Sequence, residues 1–416
     1  MRLIVQKFGG TSLATAEKIH RAARRAVRAK LEGYRVVLVV SAMGHTTDEL
    51  IALARQISAD PPKRELDMLL TTGEQVSIAL VAMAIDAAGQ QAISLTAAQL
   101  GLVTDSAHTR ARIQRINRER VDRELEVDKI VIVAGFQGID ATGEITTLGR
   151  GASDTTAAAL AAVLGAEVCE IYTDVDGVYT ADPRIVPQAR KIDEISYDVM
   201  LEMAAAGAGV MHSRAIEFGK KFSVPIHVRS SLTDGKGTMI QSETPGMESV
   251  AVSGVTLKED LAFVTLLRVP NTPGMAAGIF AEIARNNLLV DDIVQNVENG
   301  GKFASLGFST NAVDARDARR VCERLAKQIG FEKIEIDEGV SKVSAIGVGM
   351  RTHTGIAATM FEALAKAAIN IDNISTSEIV LSCIIRREEG HRAMRALHTA
   401  FGLDATNGDN QGHDRP

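Results

Sequence analysis

Five short runs rich in β-branched and aliphatic residues punctuate the first 230 positions: Arg2–Phe8, Val36–Ala42, Lys129–Phe136, Cys169–Thr173 and Pro225–Ser230. Each is close to continuously apolar, the pattern of a strand covered on both faces. Between them the spacing becomes helical. In Ala16–Leu31 the residues Ile19, Ala22, Ala23, Ala26 and Val27 form one stripe, and Glu74–Ala88 and Thr155–Leu164 are further helical stretches. Strand–helix alternation predicts a layered, mostly parallel α/β sheet. Ligands of such sheets bind beyond the carboxyl ends of the strands, and the unusual loops of this half follow strands.

The pattern changes after Thr233–Glu248, a stretch rich in glycine, threonine and serine that reads as the end of a domain. Beyond it lies an internal repeat. Pro273–Ile293 aligns without gaps to Thr354–Ile374, with Gly274 on Gly355, Ala276 on Ala357, Phe280 on Phe361 and Asp291 on Asp372. Strand-like sequence precedes each copy (Ala262–Val269, Val343–Val348) and follows it. Glycine, helix and strand in one register indicate duplication of a small α+β module. The predicted organisation is a first domain over 1–246, modules over 260–338 and 339–403, and a polar, disordered tail over 404–416.

Composition narrows the class. A chain of 416 residues exceeds one ordinary core. A formal net charge of -6 argues against a general nucleic-acid binder. Cys169, Cys322 and Cys383 are scattered and odd in number, which suits buried thiols in a reducing compartment better than disulfides or a metal cluster. The start carries Lys7 after too few apolar residues for a signal peptide. Apolar runs fall short of the roughly 18 residues of a membrane span. A cytoplasmic protein without a membrane partner is the expectation.

The candidate chemistry sits in five loops. In "KFGG" (Lys7–Gly10) the glycines let backbone N–H groups approach an anion, and Lys7 adds a mobile ammonium; a glycine turn with a solvated lysine is the plain alternative. "SAMGHTTDEL" offers Ser41, Thr46 and Thr47 near a helix start, as ligands or as caps. "LLTTGEQVS" places Glu74 behind a Thr-Thr-Gly turn. "TTLGRGASDTT" is the most specific. Gly149 and Gly151 flank Arg150, then Ser153 and Asp154 open an alanine-rich helix that must be buried. Arg150 presents a fork for a carboxylate and Asp154 a partner for an ammonium, a pairing suited to an amino acid. "YTDVDGVYTADPR" follows the next strand and brings Asp174, Asp176, Asp182 and Arg184 toward the lysine loop if the strands are neighbours, to orient the lysine, to hold magnesium, or merely to form turns. Arg110–Arg123 reads as a solvated helix face, and His212 and His353 lack partners at metal-ligand spacing.

In order and spacing, KFGGTS, SAMG, TTGE, TTLGRGASD, YTDVDGVYTADPR and PIHVRSS resemble the aspartate kinases of the amino-acid kinase family, and the repeat resembles their paired ferredoxin-like ACT modules. The resemblance covers almost the whole chain. It implies transfer of the γ-phosphoryl of MgATP to the β-carboxylate of L-aspartate, the first step toward lysine, threonine and methionine, with no tightly bound organic cofactor and no resident metal. By resemblance Lys7 and Asp174 are catalytic, with Asp174 organising the lysine. Lys7, Phe8, Gly9, Gly10, Thr173, Asp174, Tyr179, Asp182 and Arg184 hold ATP. Ser41, Thr47, Glu74, Arg150, Gly151, Ser153 and Asp154 hold aspartate. Asn271, Ala276, Leu289, Val290, Asp291, Gln295, Asn370 and Ile371 form effector sites for lysine, threonine or both. The resemblance further implies a homo-oligomer assembled through the ACT modules, and a shorter regulatory chain if Met247 serves as an internal start. Two departures stand out: Gly209 replaces a lysine many relatives carry, and Thr354 stands where relatives often have proline. Other kinases of the fold (acetylglutamate, carbamate, uridylate) would not need the TTLGRGASD clamp, and a non-catalytic amino-acid sensor would have no reason to keep Lys7.

Overall fold

The strands expected from the sequence assemble in one eight-stranded sheet. Its order is Glu194–Ser196, Thr238–Gln241, Ile226–Ser230, Val168–Thr173, Leu3–Phe8, Arg35–Val40, Ile130–Ala134, Ala92–Leu95. The last six are parallel; Thr238–Gln241 runs antiparallel to Ile226–Ser230. The computed structural model describes residues 2–149, 151–242, 251–298, 300–351 and 355–404. Arg150, Met247, His353, Thr354 and the tail from 405 onward lie outside the described residues. The chain forms two units: Met1–Tyr179, Lys191–Ala205 and Gly209–Met247 make the first, and Thr180–Arg190, Ala206–Ala208 and Glu248–Pro416 the second.

In the first unit, Ile4, Phe8, Val36, Leu38, Val40, Ile130 and Ile132 pack on one sheet face with the helices Ala16–Leu31 and Lys63–Ala87. Side chains alternate across a strand, so Lys7 points to the opposite face. There the helix Ala152–Leu164 runs, its alanines buried as the sequence requires. A small sheet ordered Ile113–Ile116, Leu102–Thr104, Gln137–Ile139, Ile145–Thr147 adjoins. The arginine-rich stretch expected to be one helix face is therefore split. Ile113–Ile116 is a strand paired with Leu102–Thr104, and helix begins only at Glu119.

The second expectation to fail concerns Glu74. Helix begins at Lys63, so Thr71, Thr72 and Gly73 lie inside it and form no turn. Gly73 serves packing: a β-carbon there would sit 2.8 Å from the Ala42 methyl, so the glycine lets the helix touch the loop after Arg35–Val40. This helix has the length and apolar composition of a membrane span, but half of its most apolar stretch is buried in the unit. It also buries Asp67, Thr71, Glu74 and Ser77, which a lipid-facing helix has no reason to carry.

In the second unit the two copies of the repeat share one antiparallel sheet, ordered Ile293–Val297, Phe303–Asn311, Gly254–Pro270, Lys333–Ile346, Val380–Arg386, Asn373–Thr376. The two long central strands pair over most of their length, and each serves both cores. Val255 and Leu257 pack with Val343, Met360, Leu364, Cys383 and Leu397, while Val264 and Leu266, further along the same strand, pack with Ile279, Phe308 and Val321. Segments Thr180–Arg190 also join this unit. Ala181 and Val186 enter the core of the second copy, and the Thr180 hydroxyl meets buried His398 Nε2 at 2.9 Å.

Gly73→Ala tests the packing account. Alanine is the better helix former by about 1 kcal/mol, but the overpacked methyl costs typically 1–3 kcal/mol. The expected net result in thermal melts is a less stable protein. A variant more stable than the parent would show that the helix can move off the loop freely.

Candidate active site

Lys7 is opposite Ile171 on the neighbouring strand Val168–Thr173, near the carboxyl ends of the parallel strands. Its ammonium is 2.6 Å from Asp154 Oδ1, and both side chains are largely buried. Asp154 stands in the first turn of the helix Ala152–Leu164 and is 5% exposed. Its Oδ2 accepts the backbone N–H of His212 at 3.2 Å. The carboxylate paired with Lys7 is thus Asp154, expected from the sequence as a substrate ligand. Asp174 does not have that place. It lies three residues beyond the Lys7–Ile171 register, about 10 Å along a strand, and is exposed, accepting only the Thr173 hydroxyl at 3.1 Å among the contacts described.

Three loops converge on this pair because glycine removes side chains where they meet. At Gly10 a β-carbon would lie 2.7 Å from Ala42 O and 2.9 Å from Gly44 O; instead Gly44 N–H donates to Gly10 O at 2.9 Å. At Gly135, after Ile130–Ala134, it would lie 2.7 Å from Ser153 Cβ. The lysine loop, the Ser41 loop and the Ser153–Asp154 turn are thereby pressed together. Gly9 leaves the space beside Lys7 open, its missing β-carbon 3.4 Å from Lys7 Nζ. Phe8 is buried and stacks on Tyr172, with ring centroids 4.7 Å apart, a core role rather than a contact surface.

Glu74 reaches the same region from the long helix. Its Oε1 accepts the Ala42 N–H at 3.1 Å, and its Oε2 is buried without a hydrogen-bond partner among the described residues. Burial pushes the carboxyl up to about 7, partly offset by the Ala42 bond. A buried carboxylate oxygen lacking a donor is suited to a ligand's ammonium. Ser41, in the loop after Arg35–Val40, and Thr47, in the first turn of Thr46–Ile57, are both half-buried in this region of the unit. Gly151 has φ 72°, a left-handed conformation open to glycine, and begins the helix carrying Ser153 and Asp154. Arg150 itself lies outside the described residues.

The residues expected to hold nucleotide are divided. Thr173 and Tyr179 belong to the first unit, where the Tyr179 hydroxyl donates to Asp176 at 2.6 Å. Asp182 and Arg184 belong to the second, paired with each other at 2.6 Å, the arginine holding the Asp182 carboxyl below its ordinary range. Position 209 is open: a β-carbon there meets nothing within 4 Å. Sequence reading missed His212, whose backbone holds Asp154, and the buried network on the other sheet face. There Glu170 accepts from Gln6 Nε2, Tyr172 OH and Arg229 Nη1 at 2.8–2.9 Å beside a cavity of about 560 Å³. Polar residues inside otherwise apolar strands were the available signal.

In the second unit a cavity of about 380 Å³ lies under the first copy's helix start, lined by Asn271, Gly274, Ala276, Gln295 and Leu306 among others. Asn271 Nδ2 donates to Gly301 O at 2.9 Å. Three expected effector residues therefore line one cavity. The others stand elsewhere: Leu289 is exposed, Val290 packs in the first copy's core, Asn370 is exposed and Ile371 packs in the second copy's core. Asp291 is turned to a different partner, Lys342 Nζ at 2.5 Å, which also meets Asp292 at 3.1 Å.

The sequence of residues 2–230 matches the profile of the amino acid kinase family, and residues 343–401 match that of the ACT domain. An aspartate kinase of Stutzerimonas stutzeri is 49% identical over 410 residues, covering 98% of this chain and 99% of its own. The aspartokinase of Pseudomonas aeruginosa is 49% identical over 407 residues, covering 97% and 98%. E. coli aspartokinase III solved with aspartate and ADP has a TM-score of 0.81 at 25% identity, covering 96% of this chain and 99% of that one. The chain belongs to the amino acid kinase family, and within it to the aspartokinases.

The Glu74 carboxyl carries a pH signature. Because its pKa is raised in the folded state, from 4.5 to about 7, its contribution to stability is complete below about pH 4.5 and is lost as pH rises through 7. The raised value corresponds to about 3 kcal/mol. Glu74→Gln is expected to match the parent in thermal melts at pH 4.5 and to exceed it at pH 8. Equal melting temperatures at pH 8 would show that the carboxylate is already compensated.

Proposed function

We infer that this chain is an aspartate kinase, transferring the γ-phosphoryl group of ATP to the β-carboxylate of L-aspartate to give 4-phospho-L-aspartate, the opening step of lysine, threonine and methionine synthesis. The observation that carries the reading is the buried Lys7–Asp154 pair at 2.6 Å at the carboxyl ends of the parallel strands, with Glu74 nearby offering an unpaired carboxylate oxygen. Phosphoryl transfer asks a protein for positioning and for positive charge where the phosphoryl oxygens gather it, more than for covalent chemistry. Asp154 holds the Lys7 ammonium in place, with both side chains largely buried. The open space beside Gly9 and the Lys7 ammonium leaves room for phosphate oxygens to approach. Glu74 takes the substrate's ammonium, and Arg150 its α-carboxylate, the arginine role resting on its motif alone. Magnesium enters with the nucleotide as part of the cosubstrate.

Regulation by an end product is part of the reading. The cavity at Asn271, Ala276 and Gln295 suits an amino acid whose charged ends meet backbone groups at the start of the helix Met275–Arg285. A related structure, E. coli aspartokinase III in its T-state, holds lysine and aspartate. Lysine, threonine or both are the proposed effectors. A homo-oligomer through the ACT modules, with or without a shorter chain from Met247, is the proposed assembly.

The deciding assay supplies ATP, magnesium, hydroxylamine and one amino acid at a time, and reads the acyl phosphate as hydroxamate. Product with L-aspartate alone is expected; product with another acceptor in its place would overturn the assignment. Lys7→Ala should lower kcat by two or more orders of magnitude, on the scale of a lost transition-state charge, with aspartate affinity retained. Near-parental turnover in that variant would remove Lys7 from the mechanism. Titrating the parent with lysine, threonine and both, then repeating with Asn271→Ala, tests the effector cavity: inhibition that the substitution leaves untouched would place the effector elsewhere.

A further inference from the structure

The helix Ser213–Phe222 has an unusual cap. His212 occupies the position where serine, threonine or aspartate is customary, and its Nδ1 accepts the backbone N–H of Arg214 at 3.3 Å. Accepting at Nδ1 requires that nitrogen to carry no proton. The same residue's backbone N–H is the one that donates to Asp154 Oδ2 at 3.2 Å. Its ring lies over Gly151, the Cδ2 atom 2.9 Å from where a β-carbon of that glycine would sit. Arg214, in the same turn, donates to Leu148 O at 2.8 Å and to Ala111 O at 3.3 Å. One helical turn therefore grips the segment Leu148–Asp154 at three places: its start, its left-handed glycine and its carboxylate.

We propose that His212 is a positioning residue for phosphoryl transfer, its uncharged imidazole fixing the turn whose N–H holds Asp154 and, through Asp154, the Lys7 ammonium. This rests on the assignment of Lys7 and Asp154 above. Imidazole fits the place for a reason of charge. An aspartate cap would set a second anion beside Asp154 and compete for Lys7, whereas a neutral ring caps the helix and leaves Asp154 as the lysine's sole carboxylate there among the described contacts. The groups facing the ring are Asp154, which favours its protonated form, Arg214, which opposes it, and Glu217, which favours it. Burial outweighs them and lowers the imidazole pKa, consistent with a neutral cap.

The test compares three substitutions in the full-length enzyme by the hydroxamate assay. His212→Leu keeps bulk over Gly151 and removes the acceptor, His212→Ala removes the acceptor without bulk, and His212→Asn restores an acceptor of the kind that caps helices. Displacing catalytic groups by about 1 Å can cost on the order of 100-fold. His212→Leu and His212→Ala are expected to lower kcat roughly 10- to 100-fold while the KM for ATP stays near the parent's and the melting curve still shows one cooperative transition. His212→Asn is expected to recover most of the lost kcat. Parental kcat in the leucine or alanine variant, or an asparagine variant no better than alanine, would overturn the proposal. A parent enzyme that phosphorylates no aspartate would instead overturn the functional assignment, so the two failures are distinguishable.

Discussion

The site depends on one ion pair, Lys7 with Asp154, set at 2.6 Å where the parallel strands end. An ammonium and a carboxylate this deeply buried are costly unless each is held and hydrogen-bonded. Asp154 is held twice, by Lys7 and by the first N–H of the turn at His212. The surrounding structure follows from keeping that pair dry and fixed. Beyond Thr156 the buried positions of the helix Ala152–Leu164 are all alanine or leucine, and its polar residues gather at the start, beside Lys7. The strand that carries Lys7 is central, flanked by Arg35–Val40 and Val168–Thr173, and has little freedom to shift.

Convergence of loops is achieved by subtraction. Gly10, Gly73 and Gly135 each stand where a β-carbon would come within 2.8 Å of a neighbouring atom, closer than real contacts permit. Their function is close approach, with no special backbone angle needed at any of the three. A helix that tolerates glycine at its middle gives up some intrinsic stability and gains a position for Glu74 against the Ala42 N–H. Glu74 in turn carries a raised pKa because that position is buried. Stability is given up at the site in exchange for an unsatisfied oxygen ready for a ligand.

The second unit shows how a tandem repeat can fold as one body. Two copies laid end to end would bury two separate sheets; here Gly254–Pro270 and Lys333–Ile346 run antiparallel through the middle of a single sheet, each shared by both cores. Asp291 and Asp292, which follow the first copy's helix, meet Lys342 on the second central strand, and the Ser375 hydroxyl of the second copy donates to Asp292 at 2.8 Å. The cluster ties the two copies together by charge as well as by the shared strands. Thr180–Arg190, which carries Asp182 and Arg184, is built into this unit through Ala181 and Val186, so the expected nucleotide motif begins in one unit and ends in the other.

The sequence by itself determined the local elements and the chemistry on offer. Continuous β-branched runs marked five strands of the large sheet to within a residue or two, the stripe over Ala16–Leu31 marked its helix at both ends, and the motif-bearing stretches held Lys7, Glu74 and Asp154. These follow from periodicity and backbone preference, which are properties of neighbouring residues. Only the tertiary structure decided which carboxylate meets Lys7, because Asp154 and Asp174 are equally available along the chain and differ only in strand register and helix direction. It also decided that Gly73 is a contact and not a turn, that His212 caps a helix at the site, that Asp291 faces Lys342 instead of the cavity, and that the repeats exchange strands. Each of these depends on distances between segments far apart in sequence, and no local pattern encodes a distance.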